Sequence, residues 1–445
     1  MPLFPLLLLL LSGLSLPALA ALQEVPAETG ALQQVLATAA AGDVLKLKAG
    51  LHSGPVEITV PLTVEGEPGA VIRGDGQGTV ISVRSSDVTL RGLIVEGSGI
   101  SLIDQHSGIF VGKEWRNVRI ENNHLRNNLI GIYLWGAIDA RVENNTVVGR
   151  SDLRQAERGN GIQLWNAPGS HVLRNTVQEG RDGIFTTTSR KNVFKGNRFE
   201  RVRFAIHYMY TNDSIVEDNI SIGNDIGLAI MYSDKLTIRN NLSVADSEHG
   251  LLFNYANESV IEGNAVRGRG GDKCLFIYNA NKNQFRNNWF EGCRIGIHFT
   301  AGSERNRMAG NSFLGNRTQV MYVGTRYLEW SDQGRGNYWS DNPAFDLNGD
   351  GIGDTAYRPN DLVDKVVWSV PAAKLLLNSP GIQVIRWAQQ QFPALLPGGV
   401  VDSAPLMKPE KPPILAAYEQ RGEIEPPLIP SRSRDYRAQE SRNVH

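Results

Sequence analysis

Residues 217–244, EDNISIGNDIGLAIMYSDKLTIRNNLSV, carry Asn219 and Asn241 22 positions apart, each followed by a short apolar run. Outward from this stretch the same asparagine recurs at Asn123, Asn145, Asn175 and Asn197 on one side and at Asn264, Asn288 and Asn311 on the other. From Asn123 onward the steps are 22, 30, 22, 22, 22, 23, 24 and 23 residues. A unit of 22–24 residues built of short β segments is one coil of a parallel β-helix. The spacing therefore predicts an all-β chain, a right-handed parallel β-helix. Asparagine suits a fixed place in each coil because it tolerates tight turns and its amides hydrogen-bond up and down a stacked column.

Strand alternation assigns the faces. Fourteen residues before most of these asparagines stands a small residue: Gly131, Gly161, Gly183, Ala205, Gly227, Gly250, Cys274. One and three places later come Ile132/Leu134, Ile162/Leu164, Ile184/Thr186, Ile206/Tyr208, Leu228/Ile230, Leu251/Phe253 and Leu275/Ile277, an apolar pair of columns that faces the core. The residues two and four places later face outward. They include Trp135, Trp165, His207, Met209 and Met231, and Tyr210, Tyr232 and Tyr255 form a column at the strand ends. The outer surface predicted here is unusually apolar, which marks an interaction site. His207, Met209 and Met231 are soft ligands suited to transient Cu(I), with a Met-rich contact surface as the alternative. Another column, Lys195, Glu217, Arg239, Glu262, Arg286, alternates in sign as stacked ion pairs would.

The remaining regions divide as follows. Residues 1–20 read as a secretory signal peptide ending in Ala18-Leu19-Ala20, although no Lys or Arg precedes the apolar run. Residues 21–42 form an N-terminal cap, with a helix within 31–50 covering the open end of the stack. Coils fill 43–340, and the step of 30 carries an insert, RSDLRQAER, at 150–158. A Ca²⁺-like loop and a docking segment occupy 341–407, and 408–445, rich in Pro, Glu and Arg, are expected to be disordered. Forty-five basic and 46 acidic side chains give no electrostatic reason to expect nucleic acid as partner. Cys274 and Cys293 are compatible with one bridge or with two thiols.

Asp346, Asn348, Asp350 and Asp354, with Gly351, repeat the first nine positions of an EF-hand loop, but Tyr357 stands where the twelfth-position Glu belongs. Ca²⁺ and a turn-rich loop held by its own side chains are alternative readings. In SPGIQVIRWAQQQFP, Ser379 is the expected N-cap, Pro380 the first helical residue, and Ile382, Ile385 and Phe392 lie on one face.

GNYWSD (336–341), DLNGDGIGDTAYRP (346–359), and the segment from SVPAAKLLLNSPGIQVIRWAQQQFP to VDSAPLM resemble the periplasmic NosD family of nitrous oxide reductase maturation proteins. The resemblance spans roughly 25–407. It implies a non-enzymatic subunit, peripheral on the inner membrane through the permease and ATPase of an ABC transporter, which works with a copper chaperone lipoprotein to assemble the copper centres of the reductase. Two rival readings remain. A polysaccharide lyase or epimerase on this fold needs clustered carboxylates beside a basic group, and no rung shows such a cluster. A glycan-binding module would use Trp135 and Trp165, and a metal-free adaptor would use the apolar face alone. Roles for His249 and His298 stay open.

Overall fold

The computed structural model describes residues 20–324, 326–359, 379–391 and 398–423, with single positions at 363, 366 and 376. Residues 1–19, which hold most of the expected signal peptide, lie outside them, as do Phe392 and most of the expected docking segment.

Three parallel sheets wrap one core. Sheet 1 has 13 strands, from Leu22–Val25 to Arg307–Ala309, and sheet 2 has 13, from Gly50–Ser53 to Tyr338–Trp339. Sheet 3 has 12, from Val56–Ile58 to Thr318–Val323. The predicted register holds in sheet 3: Ile206 pairs with Leu228 and then Leu251, and Tyr208 pairs with Ile230 and then Phe253. All of these inward residues are buried. The small column marks a corner where the chain approaches itself, since a Cβ on Gly250 would sit 2.4 Å from a Val266 methyl. Cys274 stands in the same column and forms a disulfide with Cys293, so the bridge is the reading that holds.

The asparagine column is a continuous hydrogen-bonded ladder. From Asn123 to Asn311 each side-chain amide donates to the next asparagine's Oδ1 at 2.9–3.0 Å. Each also donates to a backbone carbonyl, as Asn219 does to Phe194 at 2.8 Å. Ten polar side chains therefore run through the interior with their hydrogen-bonding capacity used. The ladder passes to Asn337 and ends on buried Asp402, which also accepts from the Asn337 N–H at 2.7 Å and the Trp339 indole at 2.8 Å. The column thus reaches two residues beyond the sequence-derived set, because its closing acceptor comes from a distant segment.

Both ends of the stack are closed. Helix α1 (Ala31–Thr38) covers the first coil and buries Leu32, while Leu22–Val25 pairs with Val44–Leu47 as an edge strand that the sequence reading had left inside the cap. At the other end Gly399–Val401 pairs with Tyr327–Glu329, and Leu406 bridges Tyr338 and Ile352. Helix α2 (Pro380–Gln391) begins as expected, with the Ile382 N–H donating to Ser379 Oγ at 3.4 Å.

The expected disorder from 408 onward is corrected for its first part. Helix α3 (Pro413–Gln420) lies across the outer face of sheet 2, burying Leu415 and Tyr418 against Ile220, Leu242, Val244 and Trp289. Arg198 binds Glu423, and Arg267 binds Glu419. Composition suggested a solvated tail, but two apolar residues three apart after Pro412-Pro413 supply a helix start and a buried stripe.

Candidate metal centre

The outer face of sheet 3 is not the open surface the alternation suggests. Tyr133, Gln163, His207, Ala229 and Leu252 point away from the core yet are buried. Phe276 of the same column and Phe204, Ile226 and Met231 on flanking columns pack with Ala229 and Leu252 into a second apolar layer. Two loops add cover. Gln105 accepts from Gln163 at 3.1 Å, and Gln155 of the 150–158 insert donates to Asp225 at 3.2 Å.

Within this layer His207 is held rather than free-standing. Its Nδ1–H donates to Asp182 Oδ2 at 3.0 Å, and the Arg203 guanidinium grips the same carboxylate through both oxygens, at 2.8 and 2.7 Å. Burial pushes the Asp182 carboxyl up, and the hydrogen bonds from His207 and Arg203 outweigh it, so the group sits below the usual carboxylate range. The imidazole is flanked by the rings of Phe185 and Phe204, each at 5.0 Å. Its Nε2 is buried and has no hydrogen-bond partner among the described residues. A carboxylate on one imidazole nitrogen with the other lone pair unused is the arrangement that orients a histidine toward a metal. Asp182 and Arg203 were missed in the sequence. The signal was a lone carboxylate, preceding Gly183, in a column that otherwise reads Ile130, Asn160, Phe204, Ile226, His249, Lys273 and Ile295.

Met209 lies two residues along the same strand and pairs in register with Met231 on the next rung. Both thioethers are half-buried. His207 and Met209 are thus ~6.7 Å apart at the backbone on one face, and Met231 is ~4.8 Å from Met209. The structure brings the three predicted soft ligands to one patch, with His207 buried where exposure was expected.

Beside the methionines, Tyr210, Tyr232 and Tyr255 form an exposed stack with ring centroids 5.0 and 5.2 Å apart. All three have positive φ, between 48° and 52°, at a position that Gly136, Asn166 and Asn279 fill in other coils. Bulky side chains are rare in this left-handed region, where glycine and asparagine are at ease. Trp135 and Trp165 stack at 5.7 Å, Trp135 exposed and Trp165 half-buried. On α2, Ile385 is exposed and Ile382 half-buried, while Phe392 lies outside the described residues.

The EF-hand reading is not supported. Asp346 spends both oxygens on the N–H groups of Gly349 and Gly351, Asp350 accepts from Ile352, and Asp354 accepts from Leu347. Asn348 and Asp350 hydrogen-bond each other at 3.0 Å. These are turn-stabilising contacts. Among the described residues no group of three or more His, Cys, Asp or Glu is placed to hold a metal, a census that leaves thioethers aside.

The chain matches the family model described as periplasmic copper-binding protein (NosD) over residues 143–344. A probable ABC transporter binding protein NosD of Stutzerimonas stutzeri is 41% identical over 82% of this chain and 86% of its own length. A protein of the same description from Pseudomonas aeruginosa is 40% identical over 81% and 87%. Among solved structures, a family 28 exopolygalacturonase of Yersinia enterocolitica superposes with a TM-score of 0.51 at 13% identity, over 68% of this chain and 77% of that one. At that identity the likeness shows the β-solenoid alone and carries no activity with it. The two curated relatives, matched over most of their length, decide the matter: the chain belongs to the NosD family of periplasmic copper-binding proteins.

Proposed function

We propose that this chain is a non-enzymatic periplasmic protein that receives Cu(I) and presents it for the copper centres of nitrous oxide reductase, docked on an ABC transporter. The observation that carries this reading is His207, its Nδ1 fixed by buried Asp182 and its Nε2 without a partner among the described residues, on the strand whose Met209 pairs in register with Met231. Imidazole and thioether hold Cu(I) without the very tight grip of thiolates, and the only two cysteines are spent on a disulfide. A protein that must pass its ion onward needs a site of this moderate strength. The tyrosine stack next to the ligands, and the Trp135–Trp165 pair two and more rungs earlier on the same face, supply contact area for the copper chaperone lipoprotein, the permease and ATPase assembly, or the reductase.

The test is a competition titration of the purified full chain with Cu(I) under exclusion of oxygen, against a chromophoric chelator. The variant His207→Ala/Met209→Leu/Met231→Leu should lose one tightly held equivalent. Asp182→Asn should keep the equivalent but weaken it by about 10- to 100-fold, the usual cost of removing a carboxylate that supports a metal-bound histidine. Unchanged copper retention by the triple variant would remove this site from the reading.

A further inference from the structure

The outward column that contains His207 continues Ala229, Leu252, Phe276, His298, Met321, each in register with the one before. It therefore offers a second imidazole and thioether on adjacent rungs. Their backbones are ~4.8 Å apart, a gap that two flexible side chains can close around one ion. His298 packs its ring on Phe276 at 4.9 Å, and its Nδ1 is buried with no hydrogen-bond partner among the described residues. Met321 is half-buried, as Met209 and Met231 are.

The surroundings favour a soft, singly charged ion. The nearest carboxylate, Asp272, is already paired with Lys273 at 2.6 Å and with Arg294. It adds no hard ligand of its own. His249 stands two rungs earlier on the far side of Phe276, with its ring centroid 5.4 Å from that phenyl. Its Nδ1–H donates to the Glu248 carbonyl at 2.6 Å. It lies in the neighbouring column, in register with Lys273, so the pair is drawn from the two residues that share one column, His298 and Met321.

We propose that His298 and Met321 form a second Cu(I) site, separate from the one at His207. Four rungs, ~19 Å, lie between the two imidazoles, so no single ion bridges them. The inference rests on the reading that this face takes up Cu(I), and it adds that the face has two stations of the same ligand chemistry at different heights of the solenoid. With two ligands in place of three, the second station is the weaker and faster-exchanging one.

The two claims separate in one experiment. Cu(I) is titrated into four full-length proteins against the chelator: parent, the His207/Met209/Met231 triple variant, His298→Gln/Met321→Leu, and all five changes combined. Parent should bind two equivalents, each partial variant one, and the combined variant none. A His298→Gln/Met321→Leu protein that keeps both equivalents at parental affinity overturns the second site. So does a parent whose single equivalent vanishes in the triple variant. A triple variant that retains both equivalents, while His298→Gln/Met321→Leu loses one, overturns the first site and leaves the second standing. Met321→Leu alone, close in volume, guards against misfolding. It should weaken the second equivalent at least tenfold with an unchanged melting temperature, and unchanged affinity in that folded variant also overturns the proposal.

Discussion

The outer faces of sheets 1 and 3 are wound from the same coils around the same core, yet they end in opposite chemistry. On sheet 1, Glu217 is held by Lys195 at 2.7 Å and by Arg239 at 2.5 Å, and Glu262 and Arg286 continue the register. From Lys195 to Arg286 the register alternates in sign, and at Glu217 that alternation becomes two ion pairs. On sheet 3 the matching positions carry Phe185, His207, Met209, Met231 and Phe276, with imidazole nitrogens left unmatched at His207 and His298. The fold tolerates either pattern because outward side chains contribute little to the core. One face is charged and paired, and the other is the one proposed above for recognition.

If that division is right, the interior shared by both faces should control stability. Asn219→Ala removes the acceptor for the Asn197 N–H and amide and strands the Phe194 carbonyl. Buried groups left unpaired cost about 1–3 kcal/mol each, so a loss of about 4 kcal/mol in chemical denaturation is expected. A loss under 1 kcal/mol would mean that the ladder relaxes and the solenoid is not held from within.

A second shared position titrates. Asp246 accepts from Ser221 at 2.7 Å, Ser243 at 2.6 Å and the Asn224 N–H at 2.8 Å, and burial pushes its carboxyl up to about 6. A folded pKa above the unfolded value means that the folded state binds the extra proton between pH 4 and 6. Stability from this group therefore falls as pH rises through that window, by on the order of 2 kcal/mol. Asp246→Asn should flatten the melting temperature between pH 5 and 7.5 and raise it at the upper end, since Asn224 already occupies the equivalent corner one coil earlier. Parent and variant curves that run parallel would refute the assignment.

The charged face should matter less. Glu217→Gln exposes no unpaired buried charge, because Lys195 and Arg239 are largely solvated, and about 0.5–1 kcal/mol is expected. The Lys195 and Arg239 contacts outweigh burial and hold the Glu217 carboxyl below its ordinary range, so its contribution is present above that range and is lost as pH falls through the lowered value. Cu(I) binding by this variant should match the parent.

Much of this was legible because it is local and periodic. The asparagine step, the inward pairs at 206/208 and 228/230, and the capping helix each follow from short-range pattern. What escaped depends on contacts between coils or between distant segments. Asp182 reaches His207 across 25 residues, Asp402 closes a ladder 65 residues after Asn337, and α3 settles on strands that run from Ile220 to Trp289, well over a hundred residues before it. Alternation told which way His207 points, but not that the rings of Phe185 in its own column and Phe204 in the neighbouring one would close over it. The calcium reading is left without support for a related reason, since the same spacing of acidic side chains also suits a run of turn contacts to backbone N–H groups.

The smallest expected stability change tests the recognition face most directly. Tyr210, Tyr232 and Tyr255 hold left-handed backbone at φ of 48–52° where neighbouring coils use Gly136, Asn166 and Asn279. Replacing all three by Asn relieves that backbone cost and forfeits two ring stacks worth about 0.5–1.5 kcal/mol each. The two effects oppose each other, and the net change should stay within about 1 kcal/mol of zero. A stack kept at an unfavourable backbone position, exposed, and next to Met209 and Met231 is what the proposed contact with a partner would call for. The Asn variant should therefore bind Cu(I) like the parent, since no ligand is changed, yet lose co-purification with the transporter or slow copper transfer from the donor by tenfold or more. Melting and titration establish that fold and site are intact, so the transfer rate isolates the contact. A variant that exchanges copper at the parental rate and still co-purifies would place docking elsewhere on the solenoid and leave the tyrosines a by-product of stacking.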